Sequence, residues 1–114
     1  MRKDDTIRVR HMLEAAQEAR SFAQNRTRDD LNNDRMLVLS LVKSIEIIGE
    51  AAAKITNESQ QLSPEIPWPS IIAMRNRLVH AYFDIDLDRV WDTINDDLPP
   101  LISALEIMLQ QEEA

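Results

Sequence analysis

Leu37, Val38, Leu41, Val42, Ile45, Ile48, Ala52 and Ile55 recur at intervals of mostly three and four along one segment. Successive residues of an α-helix are about 100° apart, so these side chains share one face. The pattern predicts a long helix over about residues 34–56, and a stripe of that length must be buried against other helices. Gly49 lies inside the stripe. A glycine there costs roughly 1 kcal/mol relative to alanine, and close approach of a second helix is one reason to keep it.

The other segments repeat the theme. Ile7, Met12, Leu13, Ala16, Ala19, Phe22 and Ala23 predict a first helix, capped by Asp4 or Asp5 and ending near Asn25. Thr27 and Asp30 have capping-box spacing, and Asn32, Asn33 or Asp34 can cap the long helix. Residues 57–69 hold Asn57, Ser59, Ser63, Pro64, Pro67 and Pro69, which break regular structure. Trp68, between two prolines, reads as a plug over the bundle end in preference to a base-stacking platform. Pro69 suits the first turn of a third helix carrying residues 74–82. Asp84-Ile85-Asp86 marks a turn with Asp86 as a cap. Val90, Trp91 and Ile94 open a fourth helical segment that Pro99-Pro100 interrupts or kinks and Leu101 to Leu109 complete. Residues 110–114 should fray. The chain of 114 residues has one glycine and three Phe or Tyr residues. The expected fold is all-α: one domain over residues 1–114, an antiparallel bundle of four to five helices.

The formal charge of −7 argues against a broad basic surface for nonspecific nucleic-acid binding. It leaves room for a local basic site or one shared between subunits. With no cysteine and two histidines, neither a disulfide framework nor a metal site is expected. Asp84, Asp86 and Asp88 read as caps and solvated acids in preference to magnesium ligands. No run of about twenty apolar residues occurs, so no membrane span is expected. The charged start does not read as a signal segment. A cytoplasmic setting is the expectation.

Met74-Arg75-Asn76-Arg77-Leu78-Val79-His80-Ala81-Tyr82 is the segment richest in chemistry. Imidazole exchanges a proton near neutral pH. Guanidinium holds phosphoryl oxygens as charge develops on them. Together they meet a minimal demand for cutting RNA without a metal: His80 activates a ribose 2′-hydroxyl and Arg75 stabilises the phosphorane. Asn76 could fix the imidazole or hold a phosphate oxygen, and Arg77 reads as a surface residue adding phosphate attraction. On a continuous helix Arg75 would point from the middle of the apolar arc. It would lie about 140° and roughly 7.5 Å from His80. The arginine's reach, a helix ending near His80, or a two-fold pairing of helices would close that gap. The pairing is preferred because it also explains an arginine among apolar neighbours. A purely structural role stays open, with Arg75 on Glu46 or Glu50 and His80 capping a helix C-terminus. His11 reads as a surface or core-edge residue.

These residues resemble the Arg-x4-His-x-Tyr signature of the HepT-like proteins of the HEPN superfamily. Ile48-Gly49-Glu50-Ala51-Ala52, the Pro-Trp loop, Asp84 and the early Asp4-Thr6-Ile7-Arg8-His11-Met12 stretch extend the likeness over the whole chain. The resemblance implies a HEPN-like helical homodimer whose two motif copies meet in a cleft. It implies a metal-independent endoribonuclease toxin of a toxin–antitoxin module, with RNA as substrate and no cofactor. Arg75 and His80 match the catalytic pair, and Asn76 the polar residue beside the arginine. Tyr82 matches the tyrosine to which a minimal nucleotidyltransferase antitoxin transfers AMP from ATP. An alternative is a non-catalytic substrate-binding or regulatory subunit of such a nucleotidyltransferase.

Overall fold

The computed structural model of the protein describes residues 1–113. Three long helices form the core: α1 (Lys3–Ala23), α3 (Arg35–Lys54) and α8 (Leu98–Glu113). Between α1 and α3 lies the single turn α2 (Asp30–Asn33), and after α3 the single turn α4 (Asn57–Gln60). Then come α5 (Trp68–Ile72), α6 (Met74–Leu78), a hairpin of β1 (Val79–Ala81) and β2 (Asp84–Ile85), and α7 (Leu87–Asp92). A π-helical turn, Thr93–Asp97, joins α7 to α8.

Helix α1 presents Val9, Met12, Ala16 and Ala19, all fully buried, to Leu41, Ile45 and Ile48 of α3 and Leu98 and Leu105 of α8. Its alanines let the helix axes approach; each fully buried Leu or Ile contributes roughly 1.5–3 kcal/mol. Polar contacts at the helix ends fix the directions. Asp5 at the start of α1 meets Thr56 just beyond the end of α3. The Met1 ammonium meets Glu112 near the end of α8, at 3.0 Å. Helix α1 therefore runs antiparallel to both.

Several terminal predictions hold. Asn25, at φ 61°, takes the left-handed conformation that asparagine tolerates, two residues beyond the end of α1. Asp34 caps α3 by accepting from the Leu37 amide at 3.0 Å. Arg26 also holds Asp34, which keeps that carboxyl below the usual carboxylate range. Asp30 accepts from the Thr27 amide at 2.7 Å. Gly49 faces the end of α5: a β-carbon there would stand 3.2 Å from the Ile72 carbonyl oxygen. Trp68 is buried, and its indole N–H donates to the Gln60 and Ser63 carbonyls. It is a plug.

Others are corrected. Asp4 and Asp5 do not cap α1; both lie in its first turn, after Arg2. Asp5 instead is buried and accepts from the hydroxyls of Thr56 (2.6 Å) and Ser59 (2.7 Å) and from the Thr56 amide. Burial alone would raise its pKa. The donors, with the Arg2 charge, outweigh that and hold the carboxyl below its ordinary value. The tail does not fray at residue 110: α8 continues to Glu113, and Glu112 is tied to Met1. Residue 114 lies outside the described residues.

The prolines act slightly upstream of their position. Pro99 and Pro100 lie in the first turn of α8 and supply no N–H to the preceding turn. The helix widens there, and the Leu98 amide reaches back five residues to the Thr93 carbonyl. Arg20 of α1 fills the gap, donating to the Ile94 carbonyl at 3.3 Å and the Asn95 side chain at 2.9 Å.

The largest correction concerns the third helix. It does not run through Tyr82. It breaks at Ala73 and ends at Leu78, and Val79 is already extended at φ −120° and ψ 102°. Val79, Tyr82, Phe83 and Ile85 favour strand over helix, and the Asp86 amide closes onto the Leu78 carbonyl at 2.8 Å. The expected turn at 84–86 thus supplies the second strand of a hairpin and then, with Asp86 accepting from the Arg89 amide, the cap of α7. The bundle therefore carries a short two-stranded ladder.

Candidate active site

Ending the helix at Leu78 changes how the chemical groups are presented. Arg75 does not sit in an apolar arc: its side chain is 45% exposed. Its Nε lies 3.7 Å from Glu46 Oε2 on α3, too long for a hydrogen bond. Glu46 also receives Lys43 at 3.2 Å. Of the two carboxylates, Glu46 is the one that faces Arg75. Among the described residues no hydrogen bond ties up the Arg75 guanidinium, whose donors face solvent. Asn76 beside it is exposed.

His80 owes its placement to the hairpin. Val79 pairs with Ile85 and Ala81 with Asp84, so two steps on β1 oppose one on β2. The extra residue is His80. A bulge of this kind twists the strand locally and re-aims the side chain. The imidazole is exposed and has no hydrogen-bond partner among the described residues, so both ring nitrogens are accessible. It does not cap a helix.

Tyr82 and Phe83 form the tip of the hairpin, 86% and 77% exposed. Their rings meet edge to face, centroids 5.1 Å apart. A pair so exposed gains little from burial in this chain, and the Tyr82 phenol is open to a reagent or partner.

Arg77 is set apart. It lies two residues from Arg75, about 200° around the helix, and donates to the Ser70 hydroxyl and carbonyl, each at 3.0 Å. It lines a cleft toward α8, whereas Arg75 faces α3. The remaining acids have local roles: Asp86 caps α7 and Asp88 holds Arg28 at 2.7 Å. His11 lies exposed in a shallow groove between α1 and α3.

Arg75, Asn76, His80 and Tyr82 are thus accessible on one short unit, a single helical turn followed by a bulged hairpin. Sequence periodicity missed the bulge because Tyr82-Phe83 contains none of the glycine or asparagine that marks tight hairpins. The β-branched and aromatic residues from 79 to 85 were the available signal.

Fold and surface groups together define a small helical protein with an Arg-x4-His-x-Tyr site. The chain belongs to the HepT-like ribonuclease family, whose model matches residues 12–108. It is 32% identical over 106 residues to a Thermococcus cleftensis protein named a probable ribonuclease HepT, covering 93% of this chain and 96% of that one. A Methanocaldococcus jannaschii protein named as a candidate RNase is 31% identical over 97 residues, 85% of this chain and 89% of its own. Another, from Caldanaerobacter subterraneus subsp. tengcongensis, is 34% identical over 85 residues, 75% and 76% of the two chains. No solved structure matches the chain significantly.

Proposed function

We propose that this protein is a metal-independent endoribonuclease, with His80 as general base and Arg75 as the phosphate-stabilising cation. The observation that carries this reading is the pair of accessible groups: a bulged imidazole, and a half-exposed guanidinium that faces Glu46 at 3.7 Å and that no hydrogen bond holds among the described residues. His80 takes the proton of a ribose 2′-hydroxyl. The 2′-oxygen attacks phosphorus, the bond to the 5′-oxygen breaks, and the proton held by the His80 imidazolium is returned to that leaving oxygen. The products are a 2′,3′-cyclic phosphate and a free 5′-hydroxyl. Arg75 stabilises the charge gathering on the phosphorane oxygens, and Asn76 holds a phosphate oxygen.

The functional unit is a homodimer in this reading. Met36 (81% exposed) and Leu39 (46%) lie on α3 in the stripe that continues to Lys43 and Glu46. They give a second copy an apolar footing beside Arg75, and pairing would supply cationic groups that one chain of net charge −7 lacks. The setting is a toxin–antitoxin module. A nucleotidyltransferase antitoxin moves AMP from ATP to the Tyr82 phenol, the added phosphate repels RNA and competes for Arg75, and the enzyme is silenced.

The test is cleavage of RNA by the purified, unmodified chain in EDTA, beside Arg75→Ala and His80→Ala. Cutting that disappears in both folded variants is expected. Binding of the nucleotidyltransferase without any cutting would favour the non-catalytic subunit instead. Intact mass before and after ATP and the antitoxin should rise in steps of one AMP, with Tyr82→Phe inert.

A further inference from the structure

Two rings cap the hairpin that carries His80. Tyr82 and Phe83 are 86% and 77% exposed, and among the described residues neither packs against the core. Tyrosine has a hydroxyl to present to water, so its exposure costs little. Phenylalanine has none. Exposure alone would mean little, because single apolar residues are common on protein surfaces. The place of Phe83 gives it meaning.

Phe83 lies in the turn between β1 and β2, three residues after His80. Their Cα atoms are therefore within about 11 Å of each other. The bulge that turns the imidazole outward lies on the strand leading into that turn, so ring and imidazole are held by one short ladder. Tyr82 meets Phe83 edge to face, with 83° between the ring planes. That contact uses one side of the Phe83 ring at most and leaves at least one flat face open.

The surroundings restrict what can lie on that face. Asp84 follows the ring and is exposed, Asp86 stands two residues further on, and the chain carries a net charge of −7. A phosphate backbone gains little Coulomb attraction on this side of His80. An aromatic face grips a base without any cation, and it accepts every base because each has a π-face. A protein partner is less well served: two such rings offer roughly 300–500 Å², short of the about 800 Å² per partner of a stable interface. We infer that Phe83 is a substrate-positioning residue whose ring stacks on an unpaired base flanking the scissile linkage. The inference rests on the reading that RNA occupies the Arg75–His80 centre. It adds that the RNA is single-stranded at the cut, since a paired base is already stacked and must leave its helix to reach the ring. Stacking holds ground state and transition state alike, so Phe83 acts on binding and not on the chemical step.

Short single-stranded RNAs carrying 2-aminopurine, a base whose fluorescence is quenched by stacking, test this. They are titrated into His80→Ala, which should leave the RNA intact, with and without Phe83→Ala. Saturable quenching is expected for a label beside the linkage held at the site. Phe83→Ala should abolish it and weaken binding about 5- to 100-fold. Phe83→Leu, which keeps bulk without a π-face, should recover little, and Phe83→Trp should restore both signals. With His80 present, Phe83→Ala should raise the RNA concentration at half-maximal single-turnover rate by the same factor and hold the maximal rate within about threefold. Added salt should shrink the effect of Arg75→Ala on binding and leave that of Phe83→Ala unchanged. Binding and cleavage unaltered by Phe83→Ala overturn the inference and leave the nuclease reading standing. So does a fall in maximal rate with binding unaltered. Phe83-dependent quenching without cleavage by the parent chain overturns the nuclease reading alone. Loss of nucleotidyltransferase binding in Phe83→Ala, with RNA binding intact, overturns the inference in favour of a protein partner.

Discussion

Two carboxylates beside α3 are treated in opposite ways. Beyond its C-terminus, Asp5 is buried and accepts three hydrogen bonds from Thr56 and Ser59. In its middle, Glu46 faces Arg75 at 3.7 Å on a partly exposed surface. The first arrangement is saturated and has nothing left to offer a substrate. The second is open, and the Arg75 donors remain available. A polar group fully satisfied by its own chain serves the fold; one left unsatisfied at the surface is available for chemistry.

That contrast predicts opposite consequences for opposite substitutions. His80→Ala and Arg75→Ala should each lower RNA cleavage by about 10²–10⁴-fold while shifting the thermal midpoint by only a degree or two. Single-turnover rates beside melting curves would show it, and a large loss of stability in either would break the contrast. Asp5→Ala should do the reverse. It strips two hydroxyls and an amide of a charged acceptor, at a cost of about 3 kcal/mol. For a domain of this size that is roughly 10–20 °C in midpoint, with activity per folded molecule intact.

Acid should reach the same contact. The folded Asp5 carboxyl is held below its ordinary value, so its stabilisation is fully present above about pH 4 and is lost as pH falls through the lower, folded value. Urea melts between pH 2 and 6 should show a steeper acid limb for the parent than for Asp5→Asn. Equal slopes would mean that Asp5 does not drive the acid response. Glu46→Gln should have the smallest effect on stability, under about 0.5 kcal/mol for an exposed pair. Any change in cleavage larger than that would mark Glu46 as positioning Arg75.

The scaffold was legible in the sequence because helices bury repeating stripes. The stripe from Leu37 to Ile55, the Asp34 and Asp86 caps, the Trp68 plug and the close approach at Gly49 all follow from spacing and local chemistry. The site was legible as a set of residues and illegible as a geometry. Helical spacing extended past Leu78 puts Arg75 among apolar neighbours, whereas its side chain is 45% exposed. The ladder of Val79 with Ile85 is a contact between strands, and single-residue periodicity does not register it. Asp5 was missed for a related reason. A carboxylate in a first turn reads as a cap or a dipole partner, and its true partners are more than fifty positions away.

The bulge at His80 has a consequence for engineering. What faces outward there is set by a count of backbone residues between two pairing positions, so whichever side chain occupies position 80 inherits the same stage. Exchanging the imidazole for a thiol or a carboxylate would install different reactivity at an unchanged address. Deleting one residue from the strand would even the ladder and erase that address, with every other group still in the chain.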